Sequence, residues 1–180
     1  MLDLILSGVL LILGVGALDA SAATVPRQSP EFSIARPDGT TLSLASFRGQ
    51  VVVMEFLFIR SEHCLRVAST LSKLHSEPGL KGFQPLAVVF DPPGAPSAGG
   101  ALIAATADYF KLTYPMGYAS KDSVDTFLGR GRYEILNVPQ VVIIDRAGTI
   151  RATSGGRGGN PALEDESSLR KLIAALLSEN

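Results

Sequence analysis

A buried-looking apolar run that ends in polar residues and a single cysteine constrains this chain more than any other feature. Val51-Val-Val-Met-Glu-Phe-Leu-Phe-Ile59 is apolar apart from Glu55, is rich in β-branched and aromatic side chains, and is opened by Gly49-Gln50. Such a run fits a strand buried on both faces of a sheet. Arg60-Ser-Glu-His63 follows, and a helical pattern begins at Cys64. Ser61 is a good N-cap residue, which places Cys64 in the first turn of a helix. There the backbone N–H groups and the helix dipole favour a thiolate. A strand leading to a cysteine at a helix N-terminus is suited to thiol chemistry.

The rest of the composition narrows that chemistry. A chain of 180 residues suits one domain with a sizeable core, and a net charge of −1 without a basic stripe argues against a nucleic-acid partner. The single cysteine excludes an internal disulfide and a cysteine-based zinc site. His63 and His75 are the only histidines, too few for a histidine-rich metal site. The chain cannot shuttle a disulfide within itself.

Leu2 to Leu18 is apolar except for Asp3 and Ser7, and Ala20-Ser-Ala22 has the small-x-small form of a signal-peptidase site. The stretch is short for a membrane span, which needs about 20 residues, and it lacks the usual preceding Lys or Arg. We read residues 1–23 as a signal peptide or membrane anchor, with a buried N-terminal helix as the alternative. Residues 24–30 then form a polar linker and 31–180 the folded domain. The domain is expected outside the cytoplasm, periplasmic or tethered to the membrane through its N-terminal segment.

Downstream, Phe32–Ala35 and Thr40–Leu44 alternate around an Asp38-Gly39 turn, the pattern of a hairpin. Leu65, Ala68, Leu71 and Leu74 recur at helical spacing up to Pro78-Gly79. Phe83–Phe90 reads as a second buried strand, and 91–100 as an irregular loop. A helix over 101–110, an extended piece at 114–118 and a helix over 121–128 come next. Val141–Ile144 is a third buried strand, turned by Asp145–Gly148 into Thr149–Thr153. Residues 154–159 read as a mobile glycine-rich loop. Pro161 stands near the start of a last helix striped by Leu169, Leu172, Ile173, Leu176 and Leu177. This order is that of an α/β domain with a central mixed β-sheet flanked by helices and an N-terminal β-hairpin.

Over about residues 30 to 178 the chain resembles the thioredoxin-like redoxins, in the branch that joins the alkyl hydroperoxide reductase/thiol-specific antioxidant proteins to TlpA-type thiol–disulfide reductases. Four features carry the resemblance: the Phe32…Asp38-Gly39…Leu42-Ser-Leu44…Phe47-Arg-Gly49 entry, the strand-then-cysteine segment, Val138-Pro139 before a strand, and the hairpin over Val141–Ile150. The resemblance implies a thioredoxin-like fold and thiol chemistry that needs no cofactor. Its expected partner is a thiol- or disulfide-containing protein, or a hydroperoxide substrate. It also implies a cis-proline at Pro139, where Val138, Pro139 and Arg60 would meet the substrate.

The departures matter as much. Ser61-Glu-His-Cys64 falls on the family's Cys-x-x-Cys, so Ser61 stands where the reductases carry their attacking thiol, and Arg60 replaces the preceding tryptophan. Cys64 corresponds to the resolving thiol, and Glu55 to the buried carboxylate that thioredoxins place behind it. A serine hydroxyl is not a thiolate surrogate for disulfide exchange, so ordinary reductase activity is expected to be absent or vestigial. Against the peroxiredoxin motif Pro-x-x-x-Thr-x-x-Cys, Ser61 and Cys64 fit the last two positions, while Leu57 replaces the proline.

Each candidate has a plainer reading. Cys64 is either a thiol poised by His63, Arg60 and Arg66 or a small buried hydrophobe. Glu55 is either a proton acceptor for Cys64 or a carboxylate at a sheet edge. His63 is a base or an exposed loop residue. Ser61 is a helix cap before it is a nucleophile, since no Ser–His–Asp constellation is visible. Two functions stay open: a redox protein acting through Cys64 alone, including a one-cysteine peroxidase, or a redox-inactive module that binds an extended peptide in the cis-proline groove.

Overall fold

The computed structural model describes residues 24–91, 97–131, 134–156 and 158–179; the N-terminal leader lies outside them. The apolar run forms β4 (Val51–Leu57), every residue of it buried. It is buried on both faces because it lies in the middle of an eight-stranded sheet of order β1-β8-β7-β4-β5-β6-β2-β3. The other strands are β1 (Arg27–Gln28), β2 (Ser33–Ala35), β3 (Thr41–Ser43), β5 (Phe83–Val89), β6 (Met116–Tyr118), β7 (Gln140–Ile144) and β8 (Thr149–Thr153). β4 runs parallel to β5 and antiparallel to β7, and β5 runs parallel to β6, so the sheet is mixed. The β2–β3 hairpin joins the far edge antiparallel to β6.

The described residues form four α-helices: α1 (Glu62–His75), α2 (Gly100–Tyr109), α3 (Lys121–Leu128) and α4 (Glu166–Ser178). Strand alternation divides the core in two. Val51, Val53 and Leu57 face α1 and α4, packing with Cys64, Val67, Leu71, Leu169 and Ile173. Val52, Met54 and Phe56 face the opposite layer, with Phe32, Ile34, Val124 and Phe127. There the rings of Phe32, Phe56 and Phe127 meet at centroid distances of 4.9–5.8 Å. Each fully buried ring contributes about 1.5–3 kcal/mol over exposure.

Pro85 sits inside β5 without breaking the sheet. Ala87 donates its N–H to Pro115 on the β6 side. Two residues back, the nitrogen of Pro85 points the same way, beyond the reach of β6, whose pairing with β5 covers only Ala87–Val89. The donor that proline lacks would have had no strand partner there.

Three expectations are revised. Residues 24–30 are not simply a linker: β1 pairs Arg27 with Ile150 and Gln28 with Thr149, and the Arg27 guanidinium donates to the Phe127 carbonyl at 2.6 Å. An edge strand of two residues is too short to show alternation in the sequence. Pro161 opens a separate 3-10 turn (Pro161–Glu164) capped by Asn160, and α4 begins afresh behind Asp165. The glycine-rich stretch is anchored at its root. Ser154 is buried and its hydroxyl accepts the Val141 N–H at 2.9 Å, while the Asn160 N–H reaches the Thr153 carbonyl. The irregular loop after Asp91 falls largely outside the described residues.

Candidate active site around Cys64

Ser61 is the N-cap of α1: its backbone is extended, and its Oγ accepts the N–H of Cys64 at 3.4 Å. The helix runs 14 residues and stops at His75, because Pro78 confines Glu77 to an extended backbone. Its buried positions, Cys64, Val67, Ala68, Leu71 and Leu74, form one stripe, and Cys64 is the first member of it.

This placement decides the character of the thiol. Cys64 has no exposed surface. Burial pushes its pKa up, opposed by the Ser61 hydroxyl and the Phe58 backbone and reinforced by the charge of Glu55. The expectation of a thiolate stabilised by nearby cations is therefore not met. Arg60 is exposed, Arg66 lies 4.0 Å from Glu62 on the outer face of the helix, and His63 places its Nε2 3.3 Å from a carboxylate oxygen of Glu164. Desolvation outweighs the helix terminus because the sulfur points inward, away from the solvent-facing cations.

Glu55 lies under the same layer. It shares the face of β4 with Val53 and Leu57, pairs with Ala87 on one side and Val141 on the other, and is fully buried. It is not at a sheet edge. Neither of its carboxylate oxygens has a hydrogen-bond partner among the described residues. Burial, and then the charge of Glu164, hold its pKa well above the usual carboxylate range. A carboxyl in such a place is neutral, since an ion there would lack both solvent and partner. Tyr114 adds to this layer: its hydroxyl donates to the Ala68 carbonyl at 3.0 Å, and burial and Glu55 raise its pKa.

The Val138–Pro139 peptide is cis, as is Val25–Pro26. Pro139 lies one residue beyond the Phe56–Gln140 pair, at the end of the sheet where β4 gives way to the Ser61 cap. The structure therefore gathers Ser61, His63 and Cys64 at one end of α1, with Glu55 beneath and the Val138–Pro139 turn at the same sheet end. Arg60 points to solvent. Glu164 and Tyr114 are members that sequence reasoning missed. Neither stands in a motif, and both reach the site from segments 50 or more residues away. Among the described residues no group of three or more His, Cys, Asp or Glu could hold a metal ion, and no helix is long and apolar enough to cross a membrane.

The mixed sheet with its flanking helices is a fold shared with solved thiol–disulfide proteins. A thiol:disulfide interchange protein of the thioredoxin family from Chlorobium tepidum TLS matches with a TM-score of 0.67 at 18% identity, covering 87% of this chain and 100% of that one. The thioredoxin domain of a thiol-disulfide oxidoreductase from Bacteroides vulgatus matches with a TM-score of 0.62 at 20% identity, over 84% and 99% of the two chains. A secreted Mycobacterium tuberculosis disulfide oxidoreductase, homologous to E. coli DsbE, gives 0.60 at 15% identity over 81% and 96%. The fold is thioredoxin-like; at such identities these structures speak for the fold alone. None of the curated proteins matches the chain. The family model of the AhpC/TSA family matches residues 25–153, and the chain belongs to that family.

Proposed function

We propose that the protein is an exported, thioredoxin-like redox protein whose thiol chemistry runs through Cys64 alone. The observation that carries this reading is the buried, unpartnered Glu55 on the same face of the sheet as Cys64. An apolar side chain would fill that position at no desolvation cost. A carboxyl kept there without a hydrogen bond costs stability, and such groups concentrate where a proton must move.

In this reading the protonated Glu55 relays the thiol proton, giving up its own proton from one oxygen as it takes the thiol's on the other. Cys64 sulfur attacks one peroxide oxygen of a hydroperoxide; the S–O bond forms as the O–O bond breaks. The thiol proton passes through Glu55 to the departing alkoxide or hydroxide, leaving a sulfenic acid and an alcohol or water. An external thiol then condenses with the sulfenic acid, releasing water, and a second thiol frees Cys64. Ser61 caps the helix and supports the sulfur through its hydroxyl, and it does not attack disulfides. A small hydroperoxide suits a thiol with no exposed surface better than a protein disulfide does.

Export rests on the apolar segment 2–18 and the Ala20-Ser-Ala22 site, and the domain is assigned to the periplasm or to the outer side of a membrane anchor. The test of function is sulfenate trapping with a dimedone probe on the folded protein after peroxide exposure, across a pH series. Labelling of Cys64 that rises with pH and changes in E55Q supports the proposal. No labelling when folded, with prompt labelling after denaturation, overturns it. The complete burial of Cys64 favours a second reading in that event: a redox-inactive module holding an extended peptide beside Val138 and Pro139.

A further inference from the structure

Cys64 has no exposed surface, so a reagent reaches its sulfur only when something moves aside. The central strands are locked by long ladders, β4 to β5 and β7, and α1 is held by its own helix bonds and its cap. The Pro161–Glu164 turn is held differently. Its Leu163 is 2% exposed and belongs to the same core cluster as Cys64, Ile59 and Val141. The backbone bonds of the turn stay local: the Leu163 N–H donates to the Asn160 carbonyl, and the Asp165 N–H to the Ala162 carbonyl. Among the described residues no backbone bond ties Pro161–Glu164 to α1 or to the sheet; the nearest is that from the Asn160 N–H to Thr153, at the root. Gly156 and Gly158 precede the turn at φ of +83° and +79°, and Asp165 follows it in an extended conformation. What fastens the turn to α1 is one side-chain contact. A carboxylate oxygen of Glu164 lies 3.3 Å from Nε2 of His63, the residue next to Cys64.

We propose that the Pro161–Glu164 turn is the cover through which Cys64 is reached, sealed by Leu163 and latched to α1 by the His63–Glu164 contact. Leu163 keeps the open form scarce, since opening returns its apolar side chain to water. The latch adds a smaller restraint. Its two side chains are 51% and 23% exposed, and a contact so near solvent is weak enough to break and re-form. Swinging the turn out from Asn160 breaks no strand ladder and no turn of α1. The passage it leaves is the space of one leucine side chain, which admits a small hydroperoxide and excludes the disulfide of a folded protein. This cover deepens the redox reading of Cys64 and rests on it for its purpose, although the opening is measurable without peroxide.

The experiment follows alkylation of Cys64 by iodoacetamide in the native full-length protein. E164A and H63A each remove the latch, and each should speed alkylation about two- to fivefold, the weight of a partly exposed ion pair. Amide exchange at Leu163 and Asp165, the two bonds internal to the turn, should quicken in both variants. The variants alter the charge near the sulfur in opposite senses, since loss of a carboxylate favours the thiolate and loss of an imidazole does not. A rise in both therefore marks a latch. The alkylation rate should also change little with urea below the unfolding transition, because a local opening exposes little surface. Unchanged rates in both variants overturn the proposal, as do rates that move in opposite directions. A rate that climbs with the full urea slope of global unfolding overturns it too, and so does the absence of alkylation in every folded variant. If alkylation behaves as expected while peroxide and dimedone leave Cys64 unlabelled, the redox function falls and the cover stands.

Discussion

Replacing Glu55 by glutamine exchanges one carboxyl oxygen for an amino group and leaves the size of the side chain unchanged, so it isolates the ionisation of a buried acid. In the folded protein burial holds the Glu55 pKa well above its ordinary value of 4.5. In the unfolded chain that ordinary value returns. Below about pH 4 the carboxyl is protonated in both states, and wild type and E55Q should be equally stable to within about 1 kcal/mol, since each buries one neutral polar group. Above pH 4.5 the unfolded wild-type chain ionises while the folded chain stays protonated. The folded state binds the extra proton, so wild-type stability falls as pH rises. The loss relative to E55Q reaches about 1.4 kcal/mol one pH unit above the unfolded pKa. It grows by about that amount per further unit until the folded carboxyl itself titrates, and is flat beyond. Urea unfolding of both proteins at half-unit steps from pH 4 to 8 measures the gap directly. A constant offset between the two curves would refute the assignment of Glu55 as a neutral buried acid.

Other perturbations test separate parts of the structure. Ser61→Ala removes the cap on the Cys64 N–H and should cost about 1 kcal/mol in denaturant unfolding, whereas Ser61→Cys should form a disulfide with Cys64 and acquire insulin-reducing turnover that wild type lacks. Gly117→Ala would set a Cβ 2.7 Å from the Ala35 carbonyl and 2.8 Å from the Ile34 Cδ1, so it should destabilise by about 1–3 kcal/mol by forcing β2 and β6 apart. Asp125 is nearly buried between Lys121 and Arg130, the latter at 2.6 Å; Asp125→Asn should cost about 3–5 kcal/mol by leaving the Arg130 guanidinium without its counter-charge. Arg130 also donates to the Glu134 carbonyl, so the same variant should increase amide exchange in the segment leading to Pro139.

The sequence alone determined the parts of this protein whose signals are local. Seven successive apolar or enclosed residues at Val51–Leu57 mark a central strand, because only a strand with neighbours on both faces hides them all. Ser61 before a 3–4 spaced stripe marks the start of α1, since an N-cap is a contact across three residues. The Asp38-Gly39 hairpin, α3 over Lys121–Leu128 and the strands on either side of Asp145–Gly148 are equally short-range. Tertiary structure decided what depends on groups far apart in the chain. Whether Cys64 is a thiolate turned on which way its sulfur points: the helix terminus and cations written in the sequence favour the charged form, and the packing against β4 and α4 removes the water that would sustain it. The two-residue β1 is a strand only because β8 stands beside it. Glu164 joins the site because the 3-10 turn before α4 brings it to His63, 101 residues earlier in the chain. Periodicity reports which face of an element is apolar; it carries no information about which charges meet across the fold.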